Sequence, residues 1–454
     1  MNALVAIGIL AGAALAAFAV RKRLPVVGAI SAGALAAAIT ALLVAPADAT
    51  ATVLDLPFRL TALGRLGSVI LLATLLLLVV DVWIGEPAYN FFPTALGIGA
   101  VVVAVLSLVV PLAIYATLML GLLIPVGSFV FQVHRNRSVE AALRHFAFVA
   151  LAGSLGLASL ALAAGLPKDQ PPMTFVLLVV VLVIAFALKL AAIPFHTHAA
   201  FLVSEAPAAA LALYFGVLVP ATFLAFAQIL MLSGLLPAIV QVHKVQDLLL
   251  GIGLVSALGG ALLASGAGDL RRLVVYSVIS NLGASLVGIG TFSGPGIIGA
   301  IAIVLVTGAS ATQQLLAAGA LERASVLEEG RPSAARAPLA AAAFIAGAAG
   351  MIGLPPLVGF PGHFFVELIA YAFSGWVGTA LVGATLLLLV AQLRAGIALF
   401  AAPIETWRVE PRPVAGVIGA IIFAALLLGG VAPDVFLRPI AAFANEFLRA
   451  LSPL

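Results

Sequence analysis

The sequence predicts an all-α integral membrane protein with about fourteen transmembrane helices, two of them broken within the membrane. Three observations carry this. Of the 454 residues, 64% are hydrophobic and 8% charged, against roughly 25% charged in an ordinary soluble domain. Apolar runs of about 18–25 residues, each adequate for a ~30 Å hydrocarbon core, recur along the whole chain. Two runs are interrupted by proline, at Pro194 and at Pro355-Pro356. A proline inside a helix removes a backbone donor and clashes with the preceding turn.

The runs follow in order. The first, 3–20, is followed by Arg21-Lys22-Arg23 and has no charged head before it, the pattern of a first membrane helix with its N-terminus outside and not of a cleaved signal. Helices are expected next at 25–45, 64–85, 93–110, 112–132 and 142–165. Asp81, late in the third and close to Trp83 and Glu86, is expected at a membrane interface. The run 174–196 organises the chain, because Lys189 stands near the centre of an otherwise apolar stretch that breaks at Pro194. A charged lysine at membrane depth costs at least ~2.5 kcal/mol on insertion scales. Snorkelling towards the headgroups is the alternative, but apolar residues flank Lys189 for several turns, which favours an interior position. Broken helices are tolerated at that depth where they line a cavity or a protein interior.

Further helices are expected at 207–231, 245–266, 270–291 and 296–321. Ser277, Ser280 and Asn281 follow the basic pair Arg271-Arg272 and suit either a hydrated path or helix packing. Gln313 and Gln314 suit glue between helices. The runs 337–358 and 361–375 read as two halves of one broken helix around GMIGLPPLVGFPGHFFVE, about 160 residues after the first break. Such paired interruptions point to a transporter's site. His363 and Glu367 follow the second break at i and i+4 and so share a helix face. In 377–401, Arg394 near Gln392 has Glu367 or a partner protein's carboxylate as its expected counter-ion. After 413–431, the tail from Asp434 to Leu454 reads as an amphipathic helix at the interface or as a partner-docking helix.

Charge tests the topology. With the N-terminus outside, inside loops hold 13 basic residues (among them Arg135, Arg137, Arg144, Arg271 and Arg331) against 6 outside, with Lys189 and Arg394 left within helices. The mixed-charge segment Glu322–Arg336 is expected to be a surface linker. The chain lacks cysteine, which excludes disulfides, iron–sulfur clusters and thiolate zinc sites. No metal cluster, cofactor motif or nucleic-acid patch is legible, and no nucleophile–base pair suggests a self-contained enzyme.

Lys189-x4-Pro194-Phe195-His196, followed by Glu205-Ala206-Pro207, resembles the proton-conducting antiporter-like family. That family contains the large membrane subunits of respiratory complex I, the Mrp cation/proton antiporters and the membrane arms of energy-converting hydrogenases. Asp269-Leu270-Arg271-Arg272, the end of 308–323 and Gly353-Leu354-Pro355-Pro356 are similar to three further motifs of the family. The resemblance covers about 110–370 and implies two inverted five-helix repeats, each with a broken helix. The implied organisation is 1–110 as N-terminal helices, 111–232 and 244–401 as the repeats, and 402–454 as a last helix and tail. It also implies proton or Na⁺ movement coupled to the reaction of partner subunits, in a prokaryotic inner membrane. Lys189, His196, Glu205, Ser277, His363 and Glu367 are the candidate path residues. Two departures stand out: the helix expected to carry lysine's acidic partner reads Ile114-Tyr115-Ala116-Thr117-Leu118-Met119-Leu120, and Thr307-Gly308 stands where a histidine is expected. Three readings therefore stay open: a working ion-translocating subunit, a degenerate scaffold paralogue, and a stand-alone secondary transporter. Co-purifying subunits separate them.

Overall fold

The computed structural model describes residues 2–46, 48–85, 90–126, 137–167, 172–237, 244–326, 333–401, 408–410 and 412–451. Glu86, Arg135, Arg331 and the centre of the expected linker 322–336 lie outside the described residues. Ten described helices are long and apolar enough to cross a bilayer.

The N-terminal part comprises α1 (Asn2–Ala19), α2 (Leu24–Leu43), α3 (Ala62–Gly85) and α4 (Phe91–Ser107). Between α2 and α3 the chain makes a hairpin, β1 (Ala49–Val53) and β2 (Leu56–Leu60). Its two-residue turn, Leu54-Asp55, has positive φ at both positions, the backbone of the tight turns that match strand twist. Asp81, four residues before the end of α3, is buried against the protein.

The first broken unit runs through α5 (Pro111–Leu123), α6 (Ser138–Gly165), α7 (Pro172–Lys189) and α8 (Thr197–Glu205). It continues in α9 (Ala208–Leu213), a π-helical turn (Tyr214–Leu218) and α10 (Val219–Leu232). The expected helix 174–196 is too long: α7 ends at Lys189 itself, so the lysine stands at the break and not at mid-helix. Ala191 takes φ 53°, its neighbour Ala192 donates back to the Ala187 carbonyl at 2.9 Å, and the Ile193 amide is taken by Ser256 Oγ at 2.9 Å. The helix therefore stops five residues before the proline that the sequence marks.

The second unit holds α11 (Lys244–Ser265), α12 (Leu270–Gly290), α13 (Gly294–Val326), α14 (Pro338–Ile352), α15 (Gly359–Phe373) and α16 (Gly375–Leu399). Asp269 caps α12 by accepting from the Arg272 amide at 2.8 Å. At the second break Gly353 closes α14 with φ 72°, a conformation that favours glycine; a Cβ there would also meet the His363 ring at 2.4 Å. Each break contains a cis proline peptide, Ile193-Pro194 and Pro355-Pro356.

α13 is the axis of the fold. Its 33 residues span about 50 Å, and it touches α3, α9, the π-turn, α10, α12, α14 and α15. Glycines permit this approach, since a Cβ on Gly216 would lie 1.8 Å from Thr312 Oγ1 and one on Gly308 would lie 2.6 Å from the Gly216 carbonyl. α17 (Val414–Val431) and α18 (Pro433–Leu451) complete the chain. The tail is a helix, as its pattern predicts, but its apolar face covers protein. Phe436, Ile440, Phe443 and Phe447 are buried, Phe447 stacks on Phe292, and Glu446 pairs with Arg59 of the hairpin at 3.6 Å.

Candidate functional site

Lys189 is 1% exposed, among the largest fully buried side chains of the protein. Its Nζ lies 3.3 Å from the centroid of the Tyr115 ring and 5.1 Å from that of Phe186, distances at which an aromatic face attracts a cation. Among the described residues Nζ has no hydrogen-bond partner. Tyr115 lies in the segment that the family resemblance expects to carry an acid. The ring is held firmly: its hydroxyl donates to the Ala152 carbonyl of α6 at 2.5 Å, and Phe186 meets it edge-on at 5.4 Å. Gly156 makes the space, because a Cβ there would stand 2.1 Å from the Tyr115 hydroxyl.

The same region gathers three residues that the sequence reading did not select as site residues. His145 of α6 and His198 of α8 are 0% and 1% exposed, with ring centroids 5.6 Å apart. The edge of His145 meets the Tyr214 ring at 4.8 Å, and the Tyr214 hydroxyl donates to the Lys189 carbonyl at 3.3 Å. His198 Nδ1 lies 3.0 Å from the Phe195 carbonyl, and its Nε2 is buried with no hydrogen-bond partner among the described residues. The signal available beforehand was the rarity of histidine, six in 454 residues, with two of them directly after Pro194. His196 itself is half-buried at the N-terminus of α8, and Glu205 is half-buried at its last residue.

At the second break His363 is 7% exposed, and the Met351 backbone interacts with its ring. Asn281 Nδ2 donates to the Met351 carbonyl at 2.7 Å and to Thr307 Oγ1 at 2.9 Å, so α12 and α13 meet the broken helix through one buried amide. Glu367 lies one turn along α15 from His363, but its hydrogen bond comes from Thr385 of α16 at 2.8 Å. Arg394 does not pair with Glu367 either; it donates to the Ser265 carbonyl from an exposed position. Ser277 sits in a separate buried chain, accepting from Gln392 Nε2 at 3.1 Å, while Gln392 Oε1 accepts from Gln314 at 3.0 Å. Gln313 donates to the Ala343 carbonyl at 2.9 Å, tying α13 to α14. Arg271 joins the two units, donating to the Ala206 carbonyl at 2.9 Å and pairing with Glu322.

The family described as NADH:quinone oxidoreductase/Mrp antiporter, TM, matches residues 142–389, more than half of the chain. The chain belongs to this antiporter family. Subunit N 2 of the NADH-quinone oxidoreductase of Acidobacterium capsulatum is 30% identical over 179 residues, which are 35% of each chain. Subunit 13 of the Thermus thermophilus NADH-quinone oxidoreductase is 30% identical over 217 residues, 46% of this chain and 45% of that one. The aligned part thus spans less than half the length of these relatives. The antiporter fold extends further than the sequence likeness. A chain of respiratory complex I from Thermus thermophilus superposes with a TM-score of 0.81 over 100% of both chains at 20% identity. A chain of the archaeal membrane-bound sulfane sulfur reductase superposes at 0.83, over 99% of both, at 14% identity. This antiporter-family chain is an integral membrane protein, and Lys189 with its break lies inside the matched segment.

Proposed function

We propose that this chain is the antiporter-like membrane subunit of a multi-subunit complex and that it moves protons coupled to a reaction of its partners. The observation that carries this is Lys189, a titratable amine sealed into the protein at the break of a helix, over an aromatic face. A lysine in that setting is costly unless its proton is used. Nitrogen bases carry protons, whereas Na⁺ seeks several oxygen ligands; the first site is built from nitrogen bases and aromatic rings, which favours H⁺. The distribution of arginine and lysine supports an N-terminus outside, and the likeness to bacterial chains supports a prokaryotic inner membrane. Segments 111–232 and 244–401 are read as two inverted five-helix repeats within a chain of about fourteen crossings, each repeat with one break followed by a short helix, α8 or α15. Likeness to chains of several membrane complexes supports the partner subunits.

One observation favours a second reading, a non-conducting scaffold: among the described residues no carboxylate pairs with Lys189, and Tyr115 stands there instead. Reconstitution decides between the two. The complex that co-purifies in mild detergent is placed in vesicles, and proton uptake is followed with a pH-sensitive dye during its driving reaction. Uptake above that of empty vesicles is expected; its absence would leave the scaffold.

Within the conducting reading, His363 at the second break is the second station. His363→Ala is expected to lower uptake about tenfold or more, and Arg394→Ala to leave it nearly unchanged, since Arg394 is exposed and bonded to a carbonyl. Equal rates in the two variants, or a larger loss for Arg394→Ala, would place the second station elsewhere.

A further inference from the structure

The buried histidine pair His145 and His198 has no place in the family resemblance and reaches the backbone of Lys189 through Tyr214; among the described residues that lysine has no carboxylate partner. Both rings are closed off from solvent, and they are brought together from positions 53 residues apart. His145 is one residue beyond Arg144, at the charged end of α6 where Arg137 and Arg144 both pair with Glu140. His198 opens α8, with Phe148 stacked on it at 4.8 Å and the half-buried His196 two residues before it. Tyr214 stands between the pair and the lysine, its ring against His145 and its hydroxyl on the Lys189 carbonyl. Packing alone does not account for two imidazoles here. A buried polar ring is costly unless bonded, and among the described residues His198 Nε2 has no partner.

We propose that His145 and His198 are the proton-exchange partners of Lys189, acting through the Tyr214 hydroxyl, in place of a carboxylate. The step conserves charge. An N–H bond breaks on the imidazolium of His145, the Tyr214 hydroxyl, turned from the Lys189 carbonyl, passes on its own proton as it receives that one, and a water relays a proton to the neutral Lys189 amine, where an N–H bond forms. His198 then returns a proton to His145. The centroid separation of 5.6 Å is one that ring rotation or a single water spans. The resulting ammonium is met by the Tyr115 ring, so the lysine is stabilised when charged without an ion pair. A carboxylate partner would hold the proton at the lysine through a full opposite charge; a tyrosine face holds it more weakly, and neutral bases can take it back.

This rests on the proton-conducting reading, and the test separates the two. His145→Phe, His198→Phe and Tyr214→Phe keep an aromatic ring in each position. In the reconstituted full complex each is expected to lower proton uptake about tenfold or more with subunit composition unchanged. All three at the parental rate, with Lys189→Met inactive, would overturn the histidine role and leave the conducting reading standing; Lys189→Met at the parental rate would overturn both. A second measurement does not depend on flux or on the variants' folding. With ¹⁵N-histidine in the intact chain there are only six histidines to resolve. Exchange with Lys189 requires that Lys189→Met move the His145 and His198 ring-nitrogen signals while leaving that of His363 in place. Unmoved His145 and His198 signals would overturn the proposal even if a phenylalanine variant failed to assemble.

Discussion

Lys189→Met is expected to lower proton uptake by the assembled complex about a hundredfold or more, the scale of losing a positioned acid–base group, while leaving assembly intact. The side chain is 1% exposed and fills its space over Tyr115 and Phe186. Methionine has similar length and flexibility and puts a polarizable sulfur against the same rings. Exchanging a buried ionisable group for a well-packed apolar one is often neutral or stabilising, so lost uptake in this variant would report chemistry and not misfolding. Lys189→Arg sharpens the result. A guanidinium also sits over an aromatic face but does not give up its proton in proteins. It is expected to conduct no better than Lys189→Met. Parental uptake in either variant would remove Lys189 from the path and favour the scaffold.

Arg271→Met is expected to destabilise the chain by about 2–3 kcal/mol, somewhat less than the ~3–5 kcal/mol lost when a fully buried pair is broken. The Arg271 side chain is 11% exposed and that of Glu322 29%, so water reaches the carboxylate in part. The substitution strips a donor from the Ala206 carbonyl just after α8 and leaves Glu322 of α13 without its cation. Arg272 reinforces the same junction by donating to Ser204 Oγ at 2.8 Å. The loss is therefore concentrated where the first broken unit meets the second. Tryptophan fluorescence during heating checks the prediction as a lowered midpoint, read as a rate where unfolding is irreversible. Glu322→Gln, which keeps an acceptor for Arg271, is expected to cost less. The double variant is expected to cost less than the sum, because both changes break one interaction. A midpoint unchanged by Arg271→Met would show that the junction is held by apolar packing alone.

What could be read from the chain was whatever carries its cost locally. An apolar run of membrane length declares itself by composition, and a proline inside it removes its donor whatever surrounds it. Hence the apolar helices, both breaks, the start of α12 after Asp269 and the oddity of Lys189 were legible. The hairpin was missed although Leu54-Asp55 punctuates two short alternating segments, because apolar neighbours on both sides masked the period. The amphipathic pattern of the tail was visible, but the pattern is the same whether lipid or protein covers the apolar face; the packing of Phe443 and Phe447 on the chain decided it.

Tertiary structure alone decided the partners. Ser256, 63 residues further on, takes the Ile193 amide, and so α7 can stop at Lys189 and leave Pro194 outside it. Tyr115 looked like an absence in the helix where an acid was expected, and only the position of Lys189 Nζ over its ring gives it a role. His363 and Glu367 share a helix, as their spacing requires, yet the one is met by the Met351 backbone and the other by Thr385 of α16. His145 and His198 meet only when α6 and α8 pack together. The sequence by itself determined which segments enter the membrane and where they break, since those costs are borne by consecutive residues. Which groups face one another at the breaks depends on contacts between residues far apart in the chain, and no local pattern encodes them.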